Sequence, residues 1–555
     1  MVLIKVILYL IYITVLLNTK TNMPPEKHTP QSANVGTEYC KPRSYLIKGD
    51  ISGIQDFIFN VKSEGAAKSL KGRSFFIKIL LEVGMQIIFD RFQINGQNDI
   101  AAAKISTSGG NFILEVTKEP FDLIDEIQQI FTNALQFTRL NLMVTAVQRR
   151  ENYQLTIKEL NQATRERKYQ LFNNCFDLFS TIPRANISAI IKNDKWTAVT
   201  DQIASATHFT ISPQVGTQPN ILTINTTRPK NKDVLNDIQF AGYKIIFGNT
   251  GLLLRNYLES IFPTNRNQTI TFADLVKSDD DWNSKYTIRG GLKGADKLGV
   301  LAMDVDNLGY ALESVNSKED HKKFDIELQA FFNVKVRQII ETSKYNNIVR
   351  NNIKVDKFKN RIYTVTAGGD DSYFVGKWNT LLNLAIDIRI EFLKAFGEKG
   401  LTISASLVIV NPSFPVVRFA QLADEAIKDA KYKYEDQKGN INLFGEVLDW
   451  DIFLNRILPL RDKFNRSGKG QITSGLLAKA RSTATSIVDD KGLRLSDMWK
   501  MGYYLRTLSR GKEIVTDHQR LLTKSLTESN KLKSRSLRLV FPVAARLAEL
   551  DNRKK

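Results

Sequence analysis

The chain has 555 residues, 43% hydrophobic and 25% charged, and carries a formal net charge of +20. It is too long for one compact core and too rich in aliphatic and aromatic side chains to be disordered, so three to five folded domains are expected. Two cysteines, Cys40 and Cys175, exclude a disulfide scaffold and a four-cysteine zinc site, and the four histidines show no metal-ligand spacing and no following Asp. The excess charge is spread along the chain and not held in one Lys/Arg run, which points to a folded basic surface with a polyanion as partner.

The chain opens on an apolar run, MVLIKVILYLIYITVLL, shorter than the about 20 residues a membrane span needs and without a small-residue cleavage site. Met23 then begins a polar, proline-containing stretch. The expectation is a leader over 1–43 with translation starting near Met23, no membrane anchor and a cytoplasmic protein. From Ser44 the patterning is strong. SYLIKGD reads as a strand ending on Asp50, and a helical segment runs from Asp56 towards Phe89. Ala101 to Val116 reads as strand, Gly-Gly turn, strand, and EPFDLIDEIQQIFTNALQFTRL has apolar residues at helical spacing. This β-α-β-β-α order is most of a ferredoxin-like sheet with helices on one face.

Residues 151–290 mix polar helical stretches with short strands such as NILTINTT and are assigned only as an intervening domain. From Leu298 the first pattern returns in full. LGVLAMDVD is a buried strand ending on Asp304 and Asp306, and NLGYALESV starts a helix that Asp306 could cap. Arg361 to Trp378 is strand, Gly-Gly turn, strand; a helix over 382–396, the strand LTISASLVIV and a helix over 419–433 follow. The two halves form a degenerate repeat. Asp50 matches Asp304, and Ser108-Gly109-Gly110-Asn111-Phe112 is set against Ala367-Gly368-Gly369-Asp370-Asp371, so only the second copy keeps its acids. Residues 451–555 are helical and hold 23 Lys and Arg against 10 Asp and Glu. The reading is α+β: two ferredoxin-like domains over 44–150 and 291–450, the intervening domain, and a basic helical domain.

In a β-α-β-β sheet the first strand lies beside the hairpin, so Asp304 and Asp306 meet the turn Gly368-Gly369-Asp370-Asp371 at one edge. Carboxylates gathered there repel one another unless cations bind, and an all-oxygen set selects Mg2+ or Mn2+ over zinc. The glycines leave room for a phosphate chain. Paired metals suit in-line attack on phosphorus, with a nucleoside triphosphate as substrate and Lys431 set against its phosphates.

At these residues the sequence resembles the large subunit of type III CRISPR effector complexes, a polymerase/cyclase family. The resemblance is carried by GDISGIQDFIF (Gly49 to Phe59), AKSLKGRSFF (Ala67 to Phe76), LAMDVDNLG (Leu301 to Gly309), AGGDDSYFVG (Ala367 to Gly376) and NINLFGEVLDW (Asn440 to Trp450). It implies two facing palm domains with ATP between them. Target RNA bound to the guide-loaded complex would switch on synthesis of cyclic oligoadenylate. It also implies Asp304, Asp370 and Asp371 as catalytic metal ligands. Gly368, Gly369, Lys431 and Asp306 fall on the nucleotide side, and the other subunits, guide RNA and target RNA are the partners. The first palm, with Asn111 and Phe112 where acids are needed, could hold a nucleotide but no second catalytic metal pair. Members with an HD nuclease domain carry a His-Asp pair that this sequence lacks, so no DNase is expected; nor is zinc. The alternatives are a non-catalytic RNA-binding scaffold of the same kind of complex and a stand-alone nucleotide cyclase.

Overall fold

The computed structural model describes residues 43–61, 66–107, 109–135, 138, 140–170, 196, 199–200, 203, 208–214, 222–224, 238–248, 264–265, 268–269, 272–276, 295–342, 362–368, 371–434, 437–465, 475, 477–479, 481–482, 495–506 and 511–552. The expected leader, apart from Arg43, lies outside these residues, as do Gly369 and Asp370.

The first unit is built from β1 (Tyr45–Ser52), α1 (Ile54–Phe59), α2 (Ala66–Phe92), α3 (Gln97–Ala103), β2 (Lys104–Ser106), β3 (Asn111–Val116), α4 (Phe121–Leu135), β4 (Asn141–Gln148) and α5 (Tyr153–Tyr169). Its strands are ordered β2-β3-β1-β4, all antiparallel, which is the ferredoxin-like arrangement. Ile124, Ile127, Phe131 and Leu135 recur at helical spacing along α4, so one stripe of that helix is buried. Residues 101–103, expected as strand, instead close α3. The hairpin β2–β3 turns through Gly109 and Gly110, both left-handed; a Cβ on Gly110 would lie 2.5 Å from Ile54 Cδ1, so the turn needs glycine there. Helices were expected on one face only. The other face is also covered, because Tyr153, Ile157 and Leu160 of α5 bury Leu46, Ile105 and Ile113. Thus α5, placed by sequence in the intervening segment, packs on the first sheet.

The middle of the chain contributes a second small antiparallel sheet from β5 (His208–Pro213), β6 (Thr223–Ile224), β7 (Ile238–Phe240) and β8 (Tyr243–Gly248), in the order β5-β8-β7-β6. The two-residue strands β9 (Thr264–Asn265) and β10 (Gln268–Thr269) and the short helix α6 (Phe272–Val276) follow. Phe209 and Phe247 meet Phe75 of α2, which ties this sheet to the first unit.

The second unit repeats the first. It runs β11 (Leu298–Asp306), α7 (Leu308–Glu313), α8 (Lys318–Ala330), a π-turn (Phe331–Lys335), α9 (Val336–Thr342), β12 (Ile362–Gly368), β13 (Asp371–Lys377), α10 (Trp378–Phe396), β14 (Thr402–Val410) and α11 (Val416–Tyr432). The hairpin β15 (Asn440–Leu443) and β16 (Glu446–Asp449) is added at one edge, β15 running parallel to β14, to give the order β12-β13-β11-β14-β15-β16. β11 is buried on both faces, as its unbroken apolar run requires. Leu298, Val300 and Ala302 share one apolar cluster with α11 and the core of the first unit. Leu301, Met303 and Val305 share the other with α10 and the C-terminal helices α12 (Leu458–Asn465), α13 (Leu495–Leu505), α14 (Gly511–Thr527) and α15 (Lys531–Asn552). The described residues of the basic C-terminal segment are therefore mostly helical, and they cover one face of the second sheet. Among the described residues no helix is long and apolar enough to cross a membrane.

Candidate active site

The strand register brings the predicted acids together. β11 pairs with β13 so that Asp304 stands directly opposite Asp371. Asp371 opens β13 and Asp304 is the last residue of β11 paired with it, so both stand where that ladder ends and side chains can face a ligand. Beside them a cavity of about 170 Å³ is lined by Gln55, Asp304, Asp371, Tyr373, Asp424 and Lys431. Asp370 and Gly369 lie outside the described residues. Gly368 is the last residue of β12, paired with Asp371, and so belongs to the strand and not to the turn. A Cβ there would meet only Asn333, at 3.8 Å.

Lys431, in the last turn of α11, donates to Asp304 Oδ1 at 2.6 Å and to the Val305 carbonyl at 3.4 Å. Burial opposes its charge, but the Asp304 carboxylate and the hydrogen bond outweigh burial and hold the ammonium above its ordinary range. Asp306 does not cap α7; Asn307, left-handed at φ 59, occupies the cap position. The Asp306 carboxylate is fully buried and accepts from Thr402 Oγ1 at 2.9 Å and Ser404 Oγ at 2.8 Å. Burial pushes its carboxyl up, and the two hydroxyls and Lys431 oppose the rise. Asp306 therefore fixes the strand end behind the cavity and is not among the residues lining it.

Three cavity residues escaped sequence reasoning. Asp424 lies seven residues before Lys431, on the same helical face, so its phase on α11 was a usable signal. Tyr373 lies two residues past Asp371, hence on the same face of β13. Gln55 comes from the first unit and donates to the Tyr373 hydroxyl at 2.8 Å; only docking of the two units reveals it. Burial and nearby Asp371, Asp424 and Asp304 push the Tyr373 phenol up, so it stays neutral.

The register also corrects the repeat alignment. Asp50 faces Asn111 as Asp304 faces Asp371. Asn111 therefore takes the place of Asp371, one residue away from the alignment by Gly-Gly spacing, because both glycines of the first hairpin form its turn. Lys168 also has a counterpart. It is the penultimate residue of α5 as Lys431 is of α11, both helices have 17 residues, and it meets Asp50 at 3.1 Å. The first unit thus retains the aspartate–lysine pair and lacks the hairpin acid.

The donor chemistry of the second rim suits a hard divalent cation: carboxylates face each other, and one of them already takes a positive charge, the Lys431 ammonium. Among the described residues no group of three or more His, Cys, Asp or Glu is gathered closely enough to hold a metal. Two of the three acids singled out by sequence are described.

Two sheets of one topology, the second with facing aspartates at its rim, make this a double-palm protein. Residues 297–441 match the family described as Cas10/Cmr2, second palm domain, and residues 43–184 match Csm1 subunit domain B. The chain is 26% identical over 492 residues to the CRISPR system single-strand-specific deoxyribonuclease Cas10/Csm1 (subtype III-A) of Methanocaldococcus jannaschii, covering 73% of this chain and 60% of that protein. It thus spans about 60% of that relative's length. Its fold is similar to that of the apo Csm1–Csm4 cassette, with TM-score 0.69, 20% identity, and coverage of 92% of this chain and 72% of that one. Csm1–Csm4 cassettes in complex with one ATP and with cA4 match with TM-score 0.64 at 20% and 19% identity, covering 91% and 90% of this chain and 70% of each of theirs. Over both of its palm-like units the chain is therefore similar to Cas10/Csm1 proteins of subtype III-A.

Proposed function

We propose that this chain is an RNA-activated, metal-dependent nucleotidyltransferase of a type III-A CRISPR effector complex that joins ATP into cyclic oligoadenylate. The register pair Asp304–Asp371 under Lys431 carries this reading, and relatives whose structures contain ATP or cA4 support it. Asp304, Asp371 and Asp370 would hold Mg2+ or Mn2+, which supplies Lewis-acid activation of a ribose hydroxyl and charge neutralisation of departing pyrophosphate. Lys431 brings a partly buried positive charge to the phosphate side of the cavity. Asp306, locked by Ser404 and Thr402, holds Asp304 at the strand end. Gln55 closes the cavity from the first palm and keeps the Tyr373 hydroxyl oriented. The first palm lacks an acid at Asn111 and serves as a second wall. The partners are a Csm4-type subunit, the remaining subunits, and guide and target RNA, with the basic C-terminal helices facing RNA or neighbouring subunits.

The test is product formation by the assembled complex. With guide and matching target RNA it should convert ATP to cyclic oligoadenylate, detected by mass spectrometry, only with Mg2+ or Mn2+. Asp371→Ala should abolish synthesis without releasing the subunit. Retained synthesis in that variant refutes the site; RNA binding with no product from wild type supports a scaffold. We also propose that the chain does not cleave single-stranded DNA, because its four histidines make no His-Asp pair in sequence and two of them, His321 and His518, are buried. Cleavage of labelled single-stranded DNA by the complex would overturn this.

A further inference from the structure

The catalytic hairpin contains a one-residue bulge. Thr364 pairs with Phe374 and Thr366 with Tyr373, so Val365 is the extra residue of β12. The bulge decides the connection that follows. With it, Gly368 faces Asp371 and two residues, 369 and 370, join the strands. Without it, Ala367 would face Asp371 and three residues would join them. Lys71 reaches this bulge from α2 of the first palm. It is 1% exposed, and its Nζ donates to the Thr364 carbonyl at 3.2 Å and the Val365 carbonyl at 3.4 Å. One turn earlier on α2, the Ala67 carbonyl accepts from the Tyr363 hydroxyl. Bulges re-aim side chains near active sites, and carbonyls released from the ladder need donors.

The first palm shows the reciprocal arrangement. β2 has the same shift at Ile105, six residues before Asn111, as Val365 is six before Asp371. Its flank is held from the second palm by Asp325 of α8, which is 5% exposed. Asp325 accepts from Ser106 Oγ at 2.9 Å and from the Thr107 N–H at 3.3 Å. Lys71 and Asp325 occupy one repeat position, each 21 residues past its strand-end aspartate, Asp50 and Asp304. Each palm thus holds the other's hairpin with the same structural position: a donor for carbonyls in one direction, an acceptor for O–H and N–H in the other.

We propose that Lys71 is a positioning residue for the second palm's chemistry: it holds the Val365 bulge, and with it the pairing of Gly368 with Asp371 at the rim of the site. This deepens the nucleotidyltransferase reading and rests on it. The experiment compares assembled complexes carrying Lys71→Met, Lys71→Gln or Asp325→Asn with wild type and Asp371→Ala. It reads ATP turnover and, without nucleotide, Mn2+ binding by electron paramagnetic resonance. Lys71→Met should lower kcat about 100-fold, the cost of a small displacement of a reacting group, and weaken Mn2+ binding about tenfold. KM for ATP should stay within about threefold, as for a residue that acts beyond ground-state binding. Lys71→Gln keeps a donor and should retain more activity than Lys71→Met. Asp325→Asn acts on the other hairpin and should lower kcat by no more than about threefold. Unchanged kcat and Mn2+ affinity in Lys71→Met overturn the proposal, as does an equal loss in Asp325→Asn, which would mark general packing. Should Lys71→Met fail to assemble, hydrogen exchange in Lys71→Gln decides: faster exchange confined to 362–368 and 371–377 supports the brace, and unchanged exchange overturns it. An inactive wild-type complex refutes the nucleotidyltransferase reading, while the Mn2+ and exchange comparisons still report on Lys71.

Discussion

Lys431→Met separates two roles of one lysine. The ammonium lies 2.6 Å from Asp304 Oδ1, and the two side chains are 13% and 22% exposed, so solvent screens the pair only in part. A hydrogen bond to a charged group is worth about 1.5–3 kcal/mol. A divalent cation that takes Asp304 must compete with that bond. Removing the ammonium should therefore tighten nucleotide-free Mn2+ binding, by at most about tenfold to a hundredfold on the same energy. Turnover should move the opposite way, since the triphosphate loses a cation that lines the cavity. The measurement is Mn2+ titration by electron paramagnetic resonance on wild-type and variant complexes, followed by ATP turnover at saturating Mn2+. Unchanged or weaker Mn2+ binding in Lys431→Met would show that the lysine does not occupy the metal's ligand, and would refute Asp304 as a shared ligand of lysine and metal.

Ser404→Ala removes a hydroxyl that donates to both oxygens of a fully buried carboxylate, at 2.8 and 3.0 Å, and should cost about 1–3 kcal/mol. Asp306 is pushed up in the fold, so its favourable contribution is present at acid pH and lost as pH rises through its folded value. The Ser404 hydroxyl favours the carboxylate over the carboxyl, so the drop in Tm should be larger above the folded titration of Asp306 than below it, and an equal drop on both sides would contradict the assignment. His321, whose Nδ1 lies 3.0 Å from the Tyr153 hydroxyl, is lowered by burial to about 4. The unfolded chain then binds the proton more tightly, so the contact between α5 and α8 should weaken as pH falls from 6.5 towards 4. Hydrogen exchange across α5 should accelerate over that range in wild type and much less in His321→Gln; a pH-independent wild type refutes this.

Much of the site was legible because it is local. Alternating or unbroken apolar runs that end in Asp50 and Asp304 are strands with carboxylates at their tips, and paired glycines before Asn111 and Asp370 are hairpin signals. The last turn of an amphipathic helix supplied Lys431. Asp306 misled as a cap because sequence shows a helix start and a nearby acid, while the competing donors, Ser404 and Thr402, arrive from a strand about a hundred residues on. The one-residue error in aligning the hairpins had a similar origin. Which residue faces Asp50 or Asp304 is set by pairing with a distant strand and not by where the glycines fall in the sequence.

By itself the sequence determined the two α+β units, their repeat and the acids of the second, because backbone propensity and apolar periodicity act over neighbouring residues. Docking decided the rest. Gln55 in the cavity, Lys71 and Asp325 in each other's hairpins, and Lys168 against Asp50 all depend on contacts between distant elements. Polar groups buried across an interface must find partners there, and which partners they find is fixed only once the two units are packed together.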